Sequence, residues 1–151
     1  MKAQAFFRET GSGPGVVCLH SNASSSGQWR GLMELLAPKF HILAADSYGA
    51  GKSPQWPERP IRLKDEVALL EPVFTRAGNP FALVGHSYGG AIALVAAVMK
   101  GHGVSALSAM CTRTVPRTFS FAGSTSVSGR EVSTIAEIRR PSATRLIIGA
   151  A

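Results

Sequence analysis

The segment Gly85-His86-Ser87-Tyr88-Gly89 constrains the fold of this chain more than any other. An apolar run, Phe81-Ala82-Leu83-Val84, leads into it, and a run of small and apolar residues, Gly90 to Met99, leads out. The first run has the pattern of a buried strand and the second that of a helix. A serine between them, with glycine two positions before and after, fits a nucleophile elbow: a sharp strand-to-helix turn that presents the serine hydroxyl at the top of a sheet. Both flanking glycines are needed because strand and helix pass too close there for a Cβ. The helix start then directs free N–H groups and the positive end of its dipole at the serine oxygen. The bare pentapeptide arises often by chance in chains of ordinary Gly and Ser content. The strand before it and the small-residue helix after it make the reading specific.

The remaining segments place this turn in a sheet. Ala5 to Thr10 reads as a short strand, followed by the turn cluster Gly11-Ser12-Gly13-Pro14-Gly15. Val16 to Leu19 and Phe40 to Ala45 are continuous apolar runs, as expected of strands buried on both faces. A Ser/Asn loop from Ser21 to Gly27 precedes a helical pattern over Trp29–Leu36. A Gly/Pro-rich loop spans Gly49 to Pro60. Leu63–Ala77 reads as one helix with Val67, Leu70, Val73 and Phe74 on one face and a kink at Pro72. This alternation of strands and helices predicts an α/β fold, a mostly parallel sheet with helices on both faces. Ligands then belong at the carboxyl ends of the strands.

After Lys100 the apolar rhythm fades and Ser, Thr and Arg dominate. A thin strand is expected over Val104–Met110, a short helix over Val132–Ile138 and a strand over Arg145–Gly149. Two domains of unequal character follow: a core over 1–103 carrying the elbow, and a segment over 104–151 that reads as a vestige of later strands.

The chain carries a net charge of +7. Its C-terminal third sets Arg113, Arg117, Arg130, Arg139, Arg140 and Arg145 against Glu131 and Glu137. No aromatic platform or basic helix stripe accompanies these arginines, so no nucleic-acid partner is expected. Cys18 and Cys111 form neither a disulfide framework nor a metal cluster, and Cys18 reads as a buried thiol. The absence of a long apolar stretch and of a signal-peptide pattern leads to the expectation of a cytoplasmic protein without membrane contact. Gly49 to Ser53 looks like the end of a phosphate-binding loop, but Asp46 stands where that motif needs glycine, and Pro54 suits its helix poorly. Trp29 and Trp56 are read first as packing groups.

Residues 5–100 resemble the α/β-hydrolase superfamily, of which the chain would be the N-terminal part. Besides the elbow, Leu19-His20-Ser21-Asn22 with Gln28-Trp29-Arg30 resembles the third strand and oxyanion loop of that family. Asp46 to Ser53 resembles its Asp-x-x-Gly-x-Gly-x-Ser turn, and Asp65 to Leu70 the helix before the elbow strand. The resemblance implies that Ser87 is the nucleophile. It also implies an oxyanion hole built from the backbone N–H groups of Tyr88 and Asn22. The family usually has glycine where Ser21 stands, which bears on the geometry at Asn22. His20 and His86 occupy positions that the family uses structurally, and Asp46 is read as a turn residue. The implied reaction is hydrolysis of ester or related acyl bonds in a small-molecule substrate through an acyl-enzyme, with no cofactor and no metal. A dehalogenase of this fold would carry Asp at position 87.

A complete triad needs an acid and then a histidine after the serine. After Ser87 the sequence offers only His102 as a histidine and no aspartate, and Glu131 and Glu137 precede no histidine. A helix of twelve residues is about 18 Å long, which puts His102 out of reach of Ser87. Ile138 to Gly149 resembles the family's strand before the catalytic acid, so the chain stops where that acid would follow; alternatively, the residues after about 100 come from a shifted reading frame. The rival to a hydrolase is an inactive truncated product or a binding module with a vestigial elbow. In either case an uncovered sheet edge is expected to favour self-association.

Overall fold

Successive residues of a strand point to opposite faces of a sheet, so a strand without polar positions must be covered twice. The chain meets this requirement with helices on both sides. The computed structural model describes residues 3–111, 136–139 and 145–150. In β2 (Gly15–Leu19) every residue is buried. Val17 and Leu19 face one core, while Val16 and Cys18 face another. β3 (His41–Ala45) divides in the same way, with Leu43 and Ala45 on the first side and Ile42 and Ala44 on the second. The first core is closed by α2 (Leu63–Leu69), α3 (Glu71–Ala77) and α4 (Tyr88–Lys100), through Val67, Leu70, Val73, Phe74, Ile92 and Ala96. The second is closed by α1 (Arg30–Leu36) and the 3-10 turn before it, through Met33 and Trp29. Each large aliphatic side chain buried this way contributes about 1.5–3 kcal/mol.

The sheet has seven strands among the described residues. They are β1 (Phe7–Thr10), β2, β3, β4 (Phe81–His86), β5 (Val104–Cys111), β6 (Ala136–Arg139) and β7 (Arg145–Ala150), in the order β1-β3-β2-β4-β5-β7-β6. β3, β2, β4, β5 and β7 run parallel, and the outer strands β1 and β6 pair antiparallel to their neighbours. The mostly parallel, doubly covered sheet is the architecture expected from the sequence. β4 lies between β2 and β5, so its carboxyl end opens at the centre of the sheet.

Two elements differ from expectation. The helix expected over 63–77 is two helices, broken at Leu70, whose φ of −82° and ψ of −3° leave the helical path. Pro72 explains the break, because it has no N–H to continue the ladder and its ring excludes the preceding turn. At the start of α3 the missing N–H costs nothing. The expected helix over 132–138 is a strand where it is described: Ala136–Arg139 pairs with β7 from Ala136↔Ile148 to Arg139↔Arg145. Ala136 and Ile138 alternate with Glu137 and Arg139, a period of two that the open side of β7 accepts. Residues 132–135 lie outside the described residues.

Cys18 is a free thiol in the second core, and burial pushes its pKa up to about 12, which makes it a poor nucleophile. Among the described residues no helix is long and apolar enough to cross a membrane, and no group of three His, Cys, Asp or Glu could hold a metal ion.

Candidate active site

Ser87 caps α4 with φ 53° and ψ −112°, a left-handed conformation that side chains rarely adopt. Strain of this kind costs about 1–3 kcal/mol and persists only where the surroundings impose it. Here the surroundings are backbone. A Cβ on Gly85 would lie 2.6 Å from the carbonyl carbon of Gly89 and 2.7 Å from Cα of Gly90. A Cβ on Gly89 would lie 2.6 Å from the His20 carbonyl oxygen. The strand therefore turns into the helix at Ser87, and the half-buried serine stands at the carboxyl end of β4. Tyr88 is the first residue of α4, and its N–H is one of the first-turn groups that a helix cannot satisfy internally.

The loop after β2 is tied to this turn by one backbone bond, from the Gly89 N–H to the His20 carbonyl at 3.1 Å. The loop then reverses over Ser21–Ser24, closed by the Ser24 N–H on the Ser21 carbonyl at 3.3 Å. Its left-handed residue is Ala23, with φ 58°, and not Ser21. Serine is accordingly tolerated where glycine is usual, because position 21 needs no positive φ. The Asn22 side chain accepts from the Ala23 N–H at 3.0 Å and steadies the reversal. Asn22 and Tyr88 line the same cavity, about 320 Å³ in volume, with His20, Ser47, Tyr48, Gly49 and Trp56 among the other walls. Ser87 and Ala23 are the two non-glycine residues with positive φ among those described, and both stand at this site.

The polar groups beneath the cavity are structural. His20 is almost fully buried; its Nε2 accepts from the Ser47 N–H at 3.0 Å. Its Nδ1 lies 2.7 Å from the Ser21 carbonyl and so carries the proton. Asp46 is buried at the end of β3, where its two carboxylate oxygens accept from the Ser26 N–H at 2.5 Å and the Lys52 N–H at 2.9 Å. Its carbonyl accepts from the Ser53 hydroxyl at 2.7 Å, and that hydroxyl accepts from the Phe6 N–H at 2.9 Å. This turn thus fastens β1, β3 and the loop before α1 at one point.

Sequence reasoning missed Glu66. It is fully buried on α2, with one oxygen accepting from the Tyr48 N–H at 3.2 Å and the other from the Tyr88 hydroxyl at 3.1 Å. Burial raises its pKa above the ordinary carboxylate value, against the lowering effect of these two hydrogen bonds. Burial, then the Glu66 charge, pushes the Tyr88 phenol up to about 12. The signal was available, because Glu66 lies four residues before Leu70 and seven before Val73, on the apolar face of its helix. Trp56 also departs from its packing role. It is 50% exposed, its ring centroid lies 6.4 Å from that of Tyr48, and it lines the cavity; Trp29, at 5%, is a core residue as read.

None of the described histidine rings is hydrogen-bonded to Ser87. His20 is committed to backbone groups, His41 bonds Glu9, and His86 Nδ1 lies 2.9 Å from the Gln28 side-chain amide. His102 follows the C-terminal end of α4 while Ser87 caps its start. Thirteen residues of helix separate them, about 20 Å.

Residues 14–131 match the family described as alpha/beta hydrolase fold. A haloalkane dehalogenase from Bradyrhizobium diazoefficiens is 35% identical over 107 residues, a match covering 69% of this chain and 34% of the relative. A pimeloyl-[acyl-carrier protein] methyl ester esterase from Nitrosomonas europaea is 32% identical over 92 residues, covering 61% of this chain and 34% of the relative. The chain thus spans about a third of the length of these curated relatives. Among solved structures, an alpha/beta hydrolase from Sphaerobacter thermophilus superposes with a TM-score of 0.63 at 30% identity, covering 70% of this chain and 40% of that one. With the elbow, the neighbouring loop and the parallel sheet in place, the family match over most of the chain identifies it as a member of the α/β-hydrolase fold family.

Proposed function

We propose that Ser87 is the nucleophile of a serine hydrolase that cleaves ester or related acyl bonds through an acyl-enzyme. The observation that carries this reading is the left-handed Ser87 at the β4–α4 turn, directly before Tyr88, which lines one cavity together with Asn22 although Ser87 itself is not among the lining residues. Ser87 Oγ attacks the substrate carbonyl carbon. The carbonyl oxygen becomes an oxyanion, which accepts from the N–H groups of Tyr88 and Asn22. Collapse expels the alcohol and leaves the acyl group on Ser87, and water then releases the acid. The attack requires a general base to take the Ser87 proton, and none of the described histidine rings is hydrogen-bonded to Ser87 to do so. Ser at position 87 favours an acyl substrate over the carbon–halogen bond named for the dehalogenase relative, and the esterase relative supports the same choice.

The lack of a described histidine bonded to Ser87 favours a second reading, a vestigial elbow in a non-catalytic protein. A fluorophosphonate separates the two, because it reacts with an activated serine. Ser87-dependent labelling, lost in Ser87→Ala, supports the hydrolase. No labelling of native protein supports the vestigial elbow.

A further inference from the structure

Gln28 joins the two loops that the proposed chemistry requires. Its side-chain Oε1 accepts from the Ser21 N–H at 3.1 Å and from the Ser21 hydroxyl at 3.0 Å. Its Nε2 donates to His86 Nδ1 at 2.9 Å. Ser21 directly precedes Asn22, and His86 directly precedes Ser87. The orientation of the amide is determined by its partners. A flipped amide would set an NH2 against the Ser21 N–H, donor against donor. With Nε2 donating, His86 Nδ1 must accept, so the neutral ring carries its proton on Nε2. The hydroxyl of Ser21, absent from the usual glycine, supplies the second donor to the same oxygen.

We infer that Gln28 is a positioning residue of the oxyanion hole, a strap that sets the Asn22 loop and the Ser87 turn at a fixed separation. The inference rests on the hydrolase reading for its purpose, but the strap itself is tested without activity. The bond between the Gly89 N–H and the His20 carbonyl fixes the two segments at one point, and a single point allows the loop to swivel. Gln28 provides a second point, on the side of Ser21 and His86.

Two substitutions in the full chain test it, read by nitrogen-15 NMR at about pH 8.5, roughly two units above the pKa of an unperturbed imidazole. Gln28→Glu keeps the shape and the acceptor for Ser21 but replaces the donor to His86 with an acceptor. His86 must then move its proton to Nδ1. The expected result is an accepting Nδ1 in the native protein and a protonated Nδ1 in Q28E. Gln28→Leu removes both halves of the strap. The Ser21 amide should exchange with solvent roughly five- to tenfold faster, the effect of losing one hydrogen bond of ordinary strength. The Asn22 and Tyr88 amide resonances should shift with it. The same His86 tautomer in native protein and Q28E, or an unchanged Ser21 exchange rate in a folded Q28L, overturns the inference. If Q28L fails to fold, the isosteric Q28E still decides. Strap signals as expected with no acylation of Ser87 would refute the hydrolase reading and leave the strap in place.

Discussion

Replacing Ser87 by glycine should make the protein more stable than replacing it by alanine. Ser87 holds φ 53° and ψ −112° at a turn where backbone atoms crowd Gly85 and Gly89. Alanine keeps the Cβ and therefore the strain. Glycine removes strain of about 1–3 kcal/mol. It also gives the unfolded chain more freedom, which offsets about 0.5–1 kcal/mol. The difference leaves S87G more stable than S87A by about 0–2.5 kcal/mol, centred near 1. In a domain of this size that is about 2–4 °C in melting temperature. Urea unfolding of the two variants, followed by circular dichroism, measures the difference directly. Ala23→Gly, at φ 58°, is a second site where the same gain is expected. S87A more stable than S87G would refute the claim that this turn stores strain.

Asp46→Ala should destabilise the protein by about 2–4 kcal/mol, because the buried N–H of Ser26 and the partly buried N–H of Lys52 lose their acceptor together; urea midpoints at neutral pH check it. Glu66 gives stability a pH dependence of definite sign. Its native pKa lies above the unfolded value, so between the two the native state holds a proton that the unfolded chain has released, and stability falls as pH rises through that window. A glutamine side chain does not titrate, so the Glu66→Gln variant should lose this contribution to the slope of urea midpoints from about pH 4.5 upward; an identical slope in both proteins would contradict the assignment.

Much of the fold was legible because its signals are local. Val16–Leu19 and Phe40–Ala45 read as strands buried on both faces, which only a doubly covered sheet tolerates, and the elbow glycines specify a close approach that the structure shows as backbone contact. The helix expected over 132–138 failed because Ala136, Ile138 and their polar neighbours fit a strand as well as a helix; the free side of β7 decides, and that is a tertiary fact. The sequence singles out Ser87, Tyr88 and Asn22, and the structure sets Tyr88, directly after Ser87, on the same cavity as Asn22; the roles proposed for them follow from where a turn puts backbone N–H groups. Gln28 and Glu66 were not legible, because a polar side chain between two distant loops leaves no periodic trace; only the position of Glu66 on an apolar helix face hinted at its burial. The place of the left-handed residue at Ala23 instead of Ser21 also depended on the whole loop and not on one residue.

Acylation of Ser87 by p-nitrophenyl acetate, read by mass spectrometry after digestion, tests the central claim most directly. The activated ester supplies its own good leaving group, so the reaction needs the placed hydroxyl and the oxyanion donors more than it needs a base. An oxyanion hole that works without the other catalytic groups retains about 10³–10⁴-fold acceleration over water. The account predicts slow acetylation confined to Ser87, lost in Ser87→Ala and lost on unfolding in urea. Acetyl groups found only on lysines, or an equal rate at Ser87 in folded and unfolded protein, would contradict it.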